Sequence, residues 1–244
     1  MTKQDQLHPI SFMKKNSNPH LGKALAALSC ISLFAASSAS AVLVTWNLNP
    51  NGLNQDVGST SATFTQLGYS ITAYGYTNSW GTGTPLGLYY KNGGFDETGL
   101  GVVGPSDHEL QGGGGWPLQF ITLDIKSLLA TGKVSDGQIE IGSVQSDSDD
   151  TFNIYGSNTL GTLGTKIGET YNSTSDLVFL ALADFGSYNY ISIGASSGDV
   201  LPVAFQANCI PEMSALFPIV GLIAAVSFTQ LLRRRRSAKS GAGP

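Results

Sequence analysis

Residues 118–125 read Leu-Gln-Phe-Ile-Thr-Leu-Asp-Ile, and they decide the fold class. Leu123 and Ile125 alternate with Thr122 and Asp124, which is the pattern of a strand with one buried face. Nine further short runs alternate in a similar way between connectors rich in glycine and asparagine: 42–48, 62–67, 69–76, 86–90, 138–144, 151–155, 177–182, 188–193 and 200–205. The pattern predicts an all-β chain, an antiparallel β-sandwich of jelly-roll type.

Two short segments interrupt this pattern. Residues 125–130 contain the only hint of a helical turn in the sandwich region. The glycine run 112–115 precedes Trp116 and Pro117 instead of a helix, so it cannot place a helix N-terminus at a phosphate group. We expect this run to be a flexible loop.

A leader precedes the sandwich. Lysines come before an apolar run over 24–36, and small residues follow up to Ala39-Ser40-Ala41. This order predicts a secretory signal peptide over residues 1–41, cut after Ala41 by a signal peptidase. Met13 is a candidate for the true start. An uncleaved N-terminal membrane helix is the alternative interpretation.

An apolar segment lies near the C-terminus. Residues 215–232 carry no charge, and four stop-transfer arginines follow directly: Arg233, Arg234, Arg235 and Arg236. At about 1.5 Å per residue a helix of this length spans roughly 27 Å, enough for the hydrocarbon core of a bilayer. The arginines hold that end on the cytoplasmic side. We therefore predict a transmembrane helix; a buried helix would not explain four consecutive arginines.

The region between these segments, 42–208, is strongly acidic. It contains fifteen acidic residues, four lysines and no arginine. Such a surface repels phosphate backbones, so nucleic-acid binding is excluded as a function, and it favours divalent cations. His108 is the only histidine of this region, so histidine-rich metal sites and an ordinary Ser-His-Asp triad have little to build on. Cys209 is the only cysteine after processing, so no internal disulfide is expected.

Two groups of acids are candidate calcium ligands. Ca²⁺ takes six to eight oxygen ligands, and glycine-rich acidic loops can wrap around it. The first group is Asp96, Glu97, Asp107 and Glu109, and the second is Asp147, Asp149 and Asp150. Solvated acidic loops are the alternative. A glycosidase would instead use two of the carboxylates about 5 to 9 Å apart.

Aromatic residues offer a second candidate site. Tyr74 and Tyr76 share one face of a predicted strand, and Trp80 follows near its end. Together they could stack against the apolar side of a sugar. The alternative is that alternating aromatic residues fill the core of the sandwich.

The C-terminal segment resembles a known sorting signal. Ile210-Pro211-Glu212-Met213, the apolar span and the four arginines are similar in order and spacing to the PEP-CTERM signal of exosortase substrates, with Met213 where that signal has a proline. The resemblance implies that residues 209–244 are a sorting tail. An exosortase, a membrane-embedded transpeptidase, would recognise Pro211-Glu212-Met213, cleave nearby and transfer the protein to the outer envelope or an extracellular matrix.

The exported part resembles the β-sandwich passengers that precede such tails. The similar stretches are 46–50, 89–101 and 154–161. What this implies is a surface or matrix protein associated with exopolysaccharide, with no catalytic residue to carry over. We therefore expect a non-enzymatic structural or adhesive domain. An extracellular polysaccharide-acting enzyme, a glycosidase or lyase on a jelly roll, is the alternative.

Overall fold

The computed structural model describes residues 40–94, 97–144, 150–170 and 177–210, and it assigns helix to Ile223, Val226, Ser227 and Gln230. Within the described part of the chain, no helix has the length and apolar character needed to cross a membrane. Several predicted features lie outside the described residues: the leader up to Ala39, Asp96, Asp147, Asp149, the motif Pro211-Glu212-Met213, and the stop-transfer residues Arg233, Arg234, Arg235 and Arg236.

Between residues 40 and 210, the described residues form sixteen strands and one short helix, α1, over Lys126–Leu129. The strands are β1 Val42–Asn47, β2 Gln55–Asp56, β3 Ser61–Gln66, β4 Tyr69–Ser79, β5 Thr82–Leu86, β6 Leu88–Asn92, β7 Thr98–Val102, β8 Leu110–Gly113, β9 Trp116–Pro117, β10 Gln119–Asp124, β11 Val134–Gly142, β12 Thr151–Ser157, β13 Thr165–Thr170, β14 Val178–Ala181, β15 Tyr190–Ser197 and β16 Asp199–Cys209. The predicted helical turn is confirmed at α1.

Three antiparallel sheets result. The first has the order β14-β11-β16, and β16 pairs on its other side with β1 and with the β8–β9 hairpin. The second has the order β13-β12-β15-β10-β4, with β3 and β5 both paired to β4. A small third sheet is β2-β6-β7. The predicted all-β antiparallel architecture is confirmed.

The main core combines apolar residues from the two large sheets. Ile121 and Leu123 of β10 and Phe205 of β16 are fully buried in one cluster, together with Trp46 of β1. The Trp46 and Phe205 rings lie 5.5 Å apart. Burying one such side chain stabilises the fold by roughly 1.5–3 kcal/mol. The alternation in the sequence therefore predicted the inward face correctly.

The opposite face of the second sheet is also covered. Tyr76, Phe120, Tyr155 and Leu163 form a separate buried cluster there. Thr122 lies on β10 between these neighbours and is buried as well. The Oγ atoms of Thr122 and Ser192 are 2.8 Å apart, which satisfies both hydroxyls.

The glycine run is a hairpin, so the prediction of a flexible loop is wrong. Gly112 and Gly113 belong to β8, and Gly114-Gly115 is the turn into β9. The reason is close packing: a Cβ on Gly112 would lie 2.6 Å from the backbone of Ala195. Only glycine lets the hairpin approach β15 this closely.

Both ends of the described domain meet at one end of the sandwich. Val42 of β1 pairs with Cys209 of β16. The Tyr69 hydroxyl donates a hydrogen bond to the Ile210 carbonyl at 2.8 Å, which fixes the exit of the chain. Cys209 is buried, and burial raises the pKa of its thiol.

Candidate functional site

Trp80 occupies the tip of the hairpin that joins β4 to β5. Ser79 pairs with Thr82, so Trp80 and Gly81 form a two-residue turn, with φ of 55° and 87°. Such turns prefer asparagine, aspartate or glycine, because a positive φ strains a residue that has a Cβ. The Trp80 side chain is nevertheless fully exposed. It stabilises no core that would offset this strain.

Trp116 lies at the tip of the second hairpin. Gly113 pairs with Trp116 across a turn of Gly114 and Gly115, with φ of 62° and 84°. The Gly115 N–H donates a hydrogen bond to the Ser196 carbonyl at 3.2 Å, which attaches the turn to β15. Trp116 is 58% exposed. The same kind of turn therefore presents a second tryptophan.

Asn78 holds the two hairpins together. Its Nδ2 donates to the Pro117 carbonyl at 2.7 Å, and its Oδ1 accepts from the Gly81 N–H at 2.9 Å. The Asn78 backbone N–H donates to the Leu118 carbonyl at 2.8 Å. Three hydrogen bonds from one residue thus fix the position of the Trp80 turn relative to the Trp116 strand.

The two hairpins enclose a cleft of about 380 Å³, lined by Asn78, Ser79, Trp80, Trp116, Pro117 and Leu118. This volume falls within the roughly 300–1,000 Å³ of small-ligand sites. Exposed tryptophan rings offer flat apolar surface, and the neighbouring amide and hydroxyl groups can form hydrogen bonds. A sugar ring has this combination of an apolar face and a polar rim.

The three aromatic residues predicted from the sequence have different environments. Tyr76 is 6% exposed, and its ring stacks on Phe120 with centroids 5.1 Å apart. Burial raises the pKa of Tyr76. Tyr74 packs against the same cluster and is half-buried. Trp80 alone of the three lines the open cleft.

Trp116 was missed by the sequence analysis. It follows four glycines, and a two-residue strand shows no alternation. The available signal was a tryptophan directly after a Gly-Gly pair, which is a hairpin turn sequence.

A second cluster contains Asp107, Glu109 and Asp199, whose carboxylate oxygens lie within 4.8 Å of one another. Glu109 directly precedes β8, and β8 pairs with the start of β16 through Gln111 and Asp199. The structure therefore brings together two of the predicted calcium ligands and adds Asp199. Asp199 was missed because only this long-range strand pairing places it there.

Lys91 connects the cluster to another predicted ligand. Its Nζ forms ion pairs with Glu109 Oε1 and with Glu97 Oε2, the latter at 3.3 Å. Glu109 is 3% exposed, and its Oε1 also accepts from Ser143 Oγ at 2.7 Å. Burial raises the pKa of Glu109, while the hydrogen bonds from Lys91 and Ser143 oppose that shift.

Asp199 joins the two predicted acidic groups. Burial raises its pKa, and the negative charges of Asp107 and Asp150 raise it further. The Asp199 N–H donates to Asp150 Oδ1 at 3.2 Å. Asp107, Glu109 and Asp199 supply the hard oxygen ligands that Ca²⁺ prefers. The donor atoms of these three residues are therefore of the type that binds a divalent cation.

Comparisons with known proteins give little further information. No protein-family model matches the chain, and no curated protein matches it. Among solved structures, the chain is similar to the K1 cleaved adhesin domain of Lys-gingipain from Porphyromonas gingivalis W83, at 7% sequence identity and a TM-score of 0.28. The match covers 69% of this chain and 95% of that chain. A similarity this low supports no functional argument.

Proposed function

We propose that this chain is an exported protein of the bacterial cell envelope or extracellular matrix, and that it binds exopolysaccharide in the cleft between Trp80 and Trp116. A signal peptidase removes residues 1–41. An exosortase recognises Pro211-Glu212-Met213 at the membrane and processes the tail. What remains outside the cell is the acidic β-sandwich over residues 42–208, together with the part of the tail that precedes the cleavage site, and it has a structural or adhesive role.

The tryptophan cleft is the observation that carries this proposal. Exposed apolar residues that form a defined cleft mark interaction sites, and strained backbone is concentrated at such sites. Trp80 and Trp116 both project from hairpin tips that Asn78 holds in place. The domain has fifteen acids against four lysines, so it repels anionic polymers. A neutral polysaccharide is therefore the class of ligand that fits best.

The acidic cluster supports a structural role over a catalytic one. A glycosidase needs two carboxylates that flank the substrate. Glu109 is buried beneath Lys91 and Ser143, so a polysaccharide cannot reach it in this arrangement. We assign the cluster to stabilisation of the domain, with Ca²⁺ as its ligand when that ion is present.

The strand order supports the jelly-roll assignment. Leaving aside the strands between β1 and β10, the two large sheets have the orders β14-β11-β16-β1 and β13-β12-β15-β10. From β10 onward, each connection crosses from one large sheet to the other, except the connection between β12 and β13. Such alternation between two packed sheets is the arrangement of a jelly roll.

Removal of the tryptophans tests the binding function. We expect Trp80→Ala and Trp116→Ala each to weaken retention on the organism's exopolysaccharide roughly fivefold, because an aromatic contact contributes about 1 kcal/mol. The double variant should lose retention. Affinity electrophoresis in gels containing the polysaccharide measures this, with a neutral glucan and an anionic alginate as comparison polymers.

Phe179→Ala is the matched control, since Phe179 is an exposed aromatic residue on the edge strand β14. It should leave retention unchanged. Wild-type retention by the double tryptophan variant, or an equal loss in the Phe179 variant, would rule out the cleft as the binding site.

A further inference from the structure

We infer that one end of the sandwich lies on the lipid surface of the membrane that the C-terminal segment spans. This inference rests on the sorting tail of the proposed function. The surface, called here the tail-end surface, consists of Val42, Leu43, Leu67, Tyr69 and Ile210. All of these except Tyr69 are exposed apolar residues.

The tail-end surface is apolar and partly strained. It surrounds a groove of about 630 Å³, whose lining includes Val42, Val44, Leu67 and Tyr69. Leu67 is 69% exposed and occupies the first position of the two-residue turn between β3 and β4, with φ of 50°. As at Trp80, an exposed apolar side chain stands where asparagine or glycine would be less strained. Clustered exposure of this kind marks an interaction surface.

The position of the chain exit identifies the partner. Ile210 is fixed at this end by the Tyr69 hydroxyl, and only residues 211–214 separate it from the apolar segment 215–232. At about 3.5 Å per residue this connection reaches at most roughly 17 Å. While the tail is intact, the tail-end surface therefore stays close to the bilayer. Tyrosine and exposed aliphatic residues suit the membrane interface.

The charges at this end permit the approach to lipid. The Ile210 N–H donates to the Lys133 carbonyl at 2.8 Å, and α1 places Lys126 nearby through Ser127, which donates to the Ser70 carbonyl. The carboxylates near these lysines are Asp124, Asp136 and Asp184, the last placed there because the Leu182 N–H donates to the Gly137 carbonyl. The domain as a whole is strongly acidic. Because two of the domain's four lysines lie at this end, the tail-end surface experiences less repulsion from anionic headgroups than the rest of the acidic domain.

A tryptophan reporter tests this geometry. The protein is extracted from membranes of cells that lack the exosortase, so that the tail is retained, and it is reconstituted in vesicles of phosphatidylcholine and phosphatidylglycerol. Part of the lipid carries bromine on its acyl chains, which quenches nearby tryptophan. We expect Leu67→Trp to gain fluorescence that the brominated lipid quenches.

Leu160→Trp is the matched control, because Leu160 is an exposed leucine beside the β4–β5 hairpin, where the Gly83 N–H donates to the Gly161 carbonyl. Its added fluorescence should not be quenched. If the protein floats with the vesicles but quenching is equal at both positions, the tail-end surface does not lie on the lipid, and only this inference is overturned. A protein that does not float with the vesicles overturns the membrane-spanning tail, and the surface assignment with it.

Discussion

Trp80 has a backbone conformation that costs an L-residue about 1–2 kcal/mol. Among the described residues, six non-glycine residues have positive φ, and Leu67 and Trp80 are the apolar ones. They lie at opposite ends of β4. Neither side chain is buried, so no packing within the fold offsets the strain. At the scale of single residues, backbone strain at both positions lowers the stability of the fold, and the side chain that causes it is an exposed apolar group.

The variant Trp80→Asn should increase the stability of the domain and weaken its binding of polysaccharide. Asparagine tolerates positive φ, so we expect the free energy of unfolding to rise by about 1 kcal/mol and Tm to rise by roughly 2–4 °C. The same variant should lose affinity for polysaccharide. Thermal unfolding followed by circular dichroism measures the first effect. Phe179→Asn, within a strand, is the control and should lower Tm; a lower Tm for Trp80→Asn would contradict the strain at this turn.

Single residues also show what the sequence could predict. Leu123 and Ile125 are buried as the alternation required. Thr122 has the polar pattern of a solvated position, yet it is buried against Ser192. Alternation assigns a residue to one face of a sheet, but only tertiary structure determines whether another segment covers that face. For the same reason Tyr76 could not be distinguished from Trp80 as an exposed aromatic.

At the scale of elements, the pairing of β8 with β16 determines the electrostatics of the acidic cluster. Burial and the charges of Asp107 and Asp150 raise the pKa of Asp199 above its value in the unfolded chain. Between those two values the folded state binds more protons than the unfolded state. The contribution of Asp199 to stability therefore decreases as pH rises through this window.

We expect Asp199→Asn to raise Tm near neutral pH, since it removes one of the close carboxylates. It should also reduce the loss of stability that occurs as pH rises from the pKa of Asp199 in the unfolded chain through its raised pKa in the folded state. Ca²⁺ should raise the Tm of the wild type but not that of the variant. Scanning calorimetry at several pH values, with Ca²⁺ or EDTA, measures both effects.

Asp124→Asn is the matched control, because its Oδ1 accepts a hydrogen bond from the Lys126 N–H that asparagine can keep. An unchanged pH profile in Asp199→Asn would show that repulsion within the cluster does not limit stability. Equal Ca²⁺ stabilisation of wild type and variant would show that the ion binds elsewhere.

Two of the strands that the sequence did not predict, β7 and β8, share one property. β7 and β8 are rich in glycine, so they have too few side chains to show alternation. Their glycines allow close contact: a Cβ on Gly101 would lie 1.7 Å from the His108 carbonyl oxygen, and one on Gly99 would lie 2.4 Å from that of Pro202. Such glycines look like loop residues in sequence, although sterics require them inside the sheets.

At the scale of the whole molecule, the arginine cluster provides a test of sorting. Replacement of all four residues, Arg233, Arg234, Arg235 and Arg236, by serine should abolish processing of the tail and leave the sandwich folded. The reason is that this change removes the cationic flank that would fix the orientation of the proposed membrane span. Immunoblots of cell fractions detect the uncleaved chain. Lys239→Ser, in the same tail, is the control. Unchanged processing of the serine variant would contradict the sorting signal and indicate that the tail is a plain membrane anchor.

The placement of the tail and the cleft has a mechanical consequence. β4 and β16 are each eleven residues long, about 35 Å at roughly 3.3 Å per residue, and β4 runs from the tail end to the cleft. A polysaccharide held at Trp80 and an envelope attachment beyond Ile210 would pull along the strand axes. Tension in that direction shears the hydrogen bonds of β16 with β1 and β11 simultaneously instead of peeling them one by one. The sandwich would then bear load as a tether.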